Sequence, residues 1–427
     1  MSTVTALETA QPAMSGASPV TNPLTEWLLG EGWNIPCPQE LVRQLGLRMM
    51  AAGIPIYRLR VNIRTLHPQH IGTVYTWLLD REEIHEYSIT PEVLEQERYI
   101  NSPFAAIFDG AGGIRSRLDL SGVDLKYPLL EELRDEGATD YVAMPLVFSD
   151  GRINAITLAT KRPGGFSTTE LEITYGMLPV LERVMELHAT RRTAQTILET
   201  YLGPQTGQRV LEGQIRLGDG QDIYAVIWFS DMRGSTALAD RMARPDYLNL
   251  LNAYFDCMAG SILNHGGEVL RFLGDAVLGI FPIDADTSQP QLCSKHTGAC
   301  TRSLKAAHEA MKKMEELNEG RREQGEPDLG YGIALHLGEL MYGNIGVGQR
   351  LDFTAIGAAV NETARLEDMC RALHKPILIS AELARLVPNQ LISLGVHGFR
   401  GVREPHEIFT LADIDGSNDD EHDKKSM

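Results

Sequence analysis

Residues 224–236 read YAVIWFSDMRGST. From Tyr224 to Ser230 the run is apolar-rich, as a buried strand requires, and it delivers Asp231 to the strand's end. Gly234 turns the chain, and Ser235 and Thr236 open a Ser/Thr-capped helix. The carboxylate then stands beside backbone N–H groups, a setting that holds a cation and phosphate oxygens together. Gly234, Ser235 and Thr236 are therefore candidate phosphate contacts. Aspartate at a strand end is common and usually only caps something, so the neighbouring pieces decide its role.

Residues 265–281, HGGEVLRFLGDAVLGIF, read as strand, tight turn, strand, with Leu273-Gly274-Asp275 at the tip. A tip adjoining the first strand brings Asp275 beside Asp231. Two close carboxylates repel unless a cation sits between them, and Mg²⁺ prefers hard oxygen ligands. Two such ions about 3.5–4 Å apart can activate an attacking oxygen and neutralise a leaving pyrophosphate. Residues 350–369, RLDFTAIGAAVNETARLEDM, read as a strand and then a helix on which Asn361 and Arg365 share a face. Such an arginine can brace charge building on a phosphoryl group, and the asparagine can orient a ribose. Taken singly, an arginine on a helix is most often a solvated residue.

In this order, FSDMRGST, GGEVLRFLGD, ALHLGELMYGNIG and RLDFTAIGAAVNETARLE resemble the motifs of class III nucleotidyl cyclases. The resemblance implies a ferredoxin-like α/β catalytic domain over residues 223–412 that works as a homodimer. It implies ATP as substrate, cyclised by attack of the ribose 3′-oxygen on the α-phosphorus. Asp231 and Asp275 would carry two Mg²⁺ or Mn²⁺ ions per site, Asn361 would orient the ribose, and Arg365 would be the transition-state arginine. Arg271 and Thr354 would read the purine. One subunit would give the metal carboxylates, and the other Asn361, Arg365 and the base readers.

The departures from the family pattern bear on specificity. Adenylyl cyclases usually have Lys where this chain has Arg271; guanylyl cyclases typically have Glu there and Cys at the position of Thr354. Thr354 can accept from the adenine amine and Arg271 can donate to a ring nitrogen, but arginine also suits guanine O6. A guanylate or relaxed-purine cyclase is thus the alternative, and a non-catalytic nucleotide-binding regulator is a third reading. Gly332 stands where some relatives place a phosphate-binding arginine, which makes Arg400 and Arg403 the substitutes. Gly266-Gly267-Glu268 is no diguanylate cyclase signature, because the turn falls seven residues later. Residues 343–348 lack a Walker lysine. His265 and His336 lack partners at metal spacing and read as structural.

Upstream, residues 40–53 carry a helical period and residues 54–66 a strand-like alternation. Tyr141–Phe148 and Ile153–Thr160 flank Ser149-Asp150-Gly151-Arg152, a hairpin with Asp-Gly at its turn. After Gly164-Gly165, Ser167 and Glu170 have capping-box spacing. This part resembles a GAF domain, which implies a small-molecule sensor over residues 23–175 whose ligand is unreadable. A domain used only for dimerisation is the bland alternative. Met177, Val180, Val184, Leu187, Arg191, Ala194, Leu198 and Tyr201 repeat at steps of three and four. The stripe suits either a parallel dimer helix or a helix packed on its own domain, and its place between sensor and catalyst favours the first. It falls within a connecting segment, 176–222, that ends in a transducing element.

Composition sets the outer bounds. The length of 427 residues suits two domains with an α+β mixture, and a net charge of −18 argues against nucleic acid as a partner. Five cysteines without CxxC spacing suit reduced thiols in a cytoplasm. Residues 1–22 read as a flexible leader and 413–427 as an acidic tail, and no run is long enough for a membrane helix.

Overall fold

The computed structural model describes residues 22–81, 83–120, 125–283, 292–387, 391–398 and 405–412, in two compact units that divide after Ile197. The leader before Asn22, the acidic tail, Arg400 and Arg403 lie outside the described residues. Asn22 is not leader: its side chain caps the helix Pro23–Gly30, accepting from Leu24 N and Thr25 N.

The first unit is built on one antiparallel sheet: β1 (Arg58–Arg64), β2 (Gly72–Leu78), β3 (His85–Ile89), β4 (Ile114–Arg117), β5 (Asp140–Val147) and β6 (Ile153–Thr160), in the order β3-β2-β1-β6-β5-β4. The expected hairpin is β5–β6, with Val147 opposite Ile153 and Gly151 at φ 83° in the turn. Alternation splits each strand between two cores. Leu59, Val61 and Ile63 pack with the helices Pro23–Gly30, Pro38–Ala51 and Thr168–Leu202 on one face. Tyr141, Ala143, Ala155 and Ala159 pack with Phe104, Ile107, Leu130 and Leu133 on the other. The capping box is made as the sequence predicts: Ser167 Oγ accepts from Glu170 N at 3.3 Å, and Ser167 N donates to Glu170 at 2.7 Å.

The Thr168–Leu202 helix corrects the dimer-seam reading at its start. Met177 and Val184 are buried in the first unit's own core with Val180 packed against it, while Leu187, the next member of the stripe, is exposed. Tyr201 is 81% exposed. Gly203, at φ 89°, follows the end of the helix.

The second unit holds β7 (Gly220–Met232), β8 (Glu268–Leu273), β9 (Ala276–Ile283), β10 (Tyr331–Val347), β11 (Arg350–Ile356), β12 (Ile377–Ser380), β13 (Leu391–His397) and β14 (His406–Leu411). Their order is β13-β14-β12-β10-β7-β9-β8, with β11 added to β10 as a hairpin arm. One face buries Trp228, Phe281 and Leu335 under helices Arg244–Phe255 and Leu292–Glu323. The other buries Ala334, Leu366 and Cys370 where the helix Ala358–Ala372 lies across it. Beyond that helix, Phe272, Leu273, Met341, Ile345, Val347 and Ile356 stay exposed.

Candidate active site

Strand β7 is held in the middle of its sheet, with Ser230 opposite Val277 of β9 and Asp231 opposite Gly332 of β10. The β8–β9 turn falls at Gly274-Asp275, where Gly274 takes φ 69°, a conformation glycine adopts without steric cost. This register brings Asp275 to Asp231, as the sequence predicts. Burial, and then the charge and hydrogen bond of Asp275, push the Asp231 carboxyl up from the usual 3.8 to about 6. Asp275 Oδ2 is buried with no hydrogen-bond partner. Two facing carboxylates with a spare oxygen suit a hard divalent cation. Among the described residues no third His, Cys, Asp or Glu joins them.

Gly234, at φ 74°, sits at the start of the short helix Ser235–Arg241. No side chain caps that helix: Ser235 and Thr236 lie inside its first turn, which corrects the Ser/Thr-cap expectation. Its backbone N–H groups are the donors left for an anion.

Arg271 on β8 and Thr354 on β11 belong to arms that meet: Arg271 Nη2 lies 2.7 Å from Asp352 Oδ2. Thr354 is buried, opposite Gly343. Asn361 and Arg365 share a face of the Ala358–Ala372 helix, with Asn361 exposed and Arg365 half-buried, while Leu366 and Cys370 face the sheet.

Sequence reasoning missed three groups. Asp352, two residues before Thr354 in a quoted motif, fixes the Arg271 guanidinium. Arg233, next but one to Asp231, forms a 2.5 Å ion pair with buried Glu367 and donates to its backbone carbonyl at 3.2 Å. Burial raises the Glu367 carboxyl to about 7, against the pull of Arg233. This pair occupies the space that a side chain at Gly332 would need, so no arginine can stand there in this packing. The third group is a buried knot: Thr206, from the helix Pro204–Leu211, donates to Glu268 at 3.1 Å, and Tyr342 donates to the same oxygen at 3.0 Å. His265 pairs with Glu309 at 2.8 Å, and His336 lies between Glu362 and Glu382.

The family model of the adenylate and guanylate cyclase catalytic domain matches residues 221–409. Residues 221–409 form a class III nucleotidyl cyclase catalytic domain. An adenylate cyclase of Anabaena cylindrica is 30% identical over 175 residues, 40% of this chain and 32% of that protein. Adenylate cyclase 2 of Rhizobium meliloti is 31% identical over 246 residues, 56% of this chain and 63% of that protein. The chain thus spans less than two thirds of either relative. The crystal structure of the adenylyl cyclase CyaB from P. aeruginosa is 28% identical, with TM-score 0.39, covering 47% of this chain and 98% of that one. The cyclase domain has mixed helix and sheet content, and its family comprises lyases that make cyclic nucleotides. No described helix is long and apolar enough to cross a membrane.

Proposed function

We propose that the protein is an adenylate cyclase converting ATP to 3′,5′-cyclic AMP and pyrophosphate in the cytoplasm, at sites shared between two copies of the chain. The observation that carries the reading is the meeting of Asp231 and Asp275, with the Asp231 carboxyl raised to about 6 by burial and by its neighbour. Mg²⁺ or Mn²⁺ held there supplies charge neutralisation and activation of the 3′-oxygen. Asp231 and Asp275 bind and orient that charge. The N–H groups at Gly234, Ser235 and Thr236 bind phosphate oxygens, and Arg365 of the second copy braces the charge building at the α-phosphorus. Asn361 of the second copy orients the ribose. Arg271 donates to a ring nitrogen while Thr354 accepts from the exocyclic amine. Exposed Met341, Ile345, Val347 and Ile356, which share one face of the paired strands β10 and β11, support the homodimer, because a folded domain seldom leaves such a face uncovered. The first unit, an antiparallel sheet between two layers of helices, supports the reading of residues 23–175 as a GAF-like sensor. The test is turnover of ATP and GTP by the purified protein with Mg²⁺ and with Mn²⁺. Cyclic AMP as the main product supports the reading, whereas GTP as the better substrate overturns it.

A guanylate reading has one observation in its favour. Arg271 and Asp352 offer a donor and an acceptor side by side, which also matches guanine O6 and its neighbouring N–H groups. The same assay decides between them.

A further inference from the structure

The buried knot of Thr206, Glu268 and Tyr342 lies at the root of the two arms that carry the base readers, and its makeup is not what stability alone would select. Each of the three residues is 1% exposed. One carboxylate oxygen, Glu268 Oε1, accepts from the Thr206 hydroxyl at 3.1 Å, the Thr206 N–H at 3.3 Å and the Tyr342 hydroxyl at 3.0 Å. The two hydroxyls also touch each other. The other oxygen, Oε2, is buried and finds no partner among the described residues, and burial pushes the carboxyl up. A half-satisfied polar network stabilises a fold less than an apolar core of the same shape. Arg209, three residues beyond Thr206, lies over the Tyr342 ring, 5.2 Å from its centroid. Gly203 lets the chain pass close by: a side chain there would stand 3.3 Å from Glu268 Oε1. The segment that follows stays on β10, with Asn344 Nδ2 donating to the Gln214 carbonyl at 2.9 Å and Asn344 N to that of Asp219 at 2.8 Å.

The knot joins β8 to β10, and register carries each connection on to a base reader. A bulge between Val269 and Arg271 sets two residues of β8 against one of β9. Glu268, opposite Ile280, and Arg271, opposite Leu278, therefore fall on the same face of the sheet. Tyr342 packs edge-on against Phe353, ring centroids 4.6 Å apart, and stands opposite Ala355. Phe353 lies between Asp352, which grips Arg271, and Thr354. One short helix thus holds both arms at their base. We infer that Thr206, Glu268 and Tyr342 are positioning residues for the purine: the seat of the Pro204–Leu211 helix sets the separation of the arms bearing Arg271 and Thr354, and with it nucleotide affinity and the choice between bases. The inference rests on the reading of Arg271 and Thr354 as base readers, and it gives the connecting segment a route to the site. Because the readers meet the base and not the reacting phosphorus, the coupling acts on KM and on the purine ratio more than on kcat.

Thr206→Val removes the hydroxyl and keeps the shape and the backbone donor. In the full-length protein it should raise KM for the preferred nucleotide by about three- to tenfold, the effect of one hydrogen bond, with a smaller change in kcat. The ratio of kcat/KM values for ATP and GTP should shift by at least about threefold, and Thr206→Ser should restore both. Tyr342→Phe, which keeps the ring against Phe353, should repeat the effect through the other arm. Inorganic tripolyphosphate, a competitor without a base, should inhibit wild type and both variants equally. Thr354→Ala, run alongside, separates the inference from the reading beneath it. If Thr354→Ala moves the purine ratio and neither knot variant does, or if tripolyphosphate inhibition weakens in step with KM, the knot is structural and the inference fails. If no variant moves the ratio, Thr354→Ala included, the base-reader assignment falls and takes the inference with it. Should Thr206→Val not fold, Tyr342→Phe decides by the same measures.

Discussion

Replacing Asp231 with asparagine should abolish turnover and stabilise the second unit. The reasoning starts from the carboxyl pushed up from 3.8 to about 6 by burial and by Asp275. An acid with a raised folded-state pKa keeps its proton in the fold while the unfolded chain has already lost it. Folding stability therefore falls as pH rises from about 4 to about 6 and stays lowered above that window. Two pKa units at about 1.4 kcal/mol each set a ceiling near 3 kcal/mol. Asp231 is only half-buried, and solvent screening reduces this to about 1–2 kcal/mol. Asparagine keeps the shape and removes the charge, so its advantage over wild type should be near zero at pH 4 and complete by pH 7. Hydrogen exchange of peptides from β7 and β9, read by mass spectrometry, reports on this unit alone. Mg²⁺ should then slow exchange in wild type and not in Asp231→Asn, since a ligand stabilises only the state that binds it. An asparagine variant no more protected than wild type at pH 7 would refute the idea that the two carboxylates confront each other.

Further outcomes follow from the same geometry. Thr354→Ala should narrow the preference for ATP over GTP by about tenfold, read as a ratio of kcat/KM values, because one base-discriminating hydrogen bond is lost. Asp352→Ala frees the Arg271 guanidinium and should raise KM for the preferred nucleotide several-fold while melting is unchanged. Glu268→Ala strands the Thr206 and Tyr342 hydroxyls and should destabilise the second unit by about 1–3 kcal/mol in denaturant titrations, whereas Glu268→Gln should stay near wild type. Inserting one residue after Thr193, beyond the stretch buried in the first unit, turns everything downstream by about 100° and should change basal cyclase activity.

Much of the site was legible because its signals are local. A strand that runs straight into Asp231, and a Gly-Asp pair between two apolar runs, specify a carboxylate at a strand end and another at a hairpin tip. Neither needs knowledge of distant contacts. The groups that escaped are long-range: Arg233 meets Glu367 from 134 residues away, and Thr206 reaches Tyr342 across 136. Gly332 looked like a missing arginine in sequence, but in three dimensions its bare backbone makes room for a guanidinium and a carboxylate from elsewhere. The stripe from Met177 to Tyr201 misled for a different reason. Steps of three and four put side chains on one helical face whether that face meets a second helix or the helix's own sheet. The first unit's sheet claims its beginning.

The central claim, that each site is assembled from two chains, has a direct test. An Asp231→Ala homodimer and an Arg365→Ala homodimer should both be inactive. In a mixed dimer one site collects both lesions and the other none, because two-fold symmetry repeats every contact. Co-expressed mutants that exchange at random form mixed dimers about half the time, so cyclic nucleotide production should recover to roughly a quarter of wild type if the two sites work independently. Verified mixed dimers that remain as silent as either parent would contradict the shared site and return all four residues to a single chain.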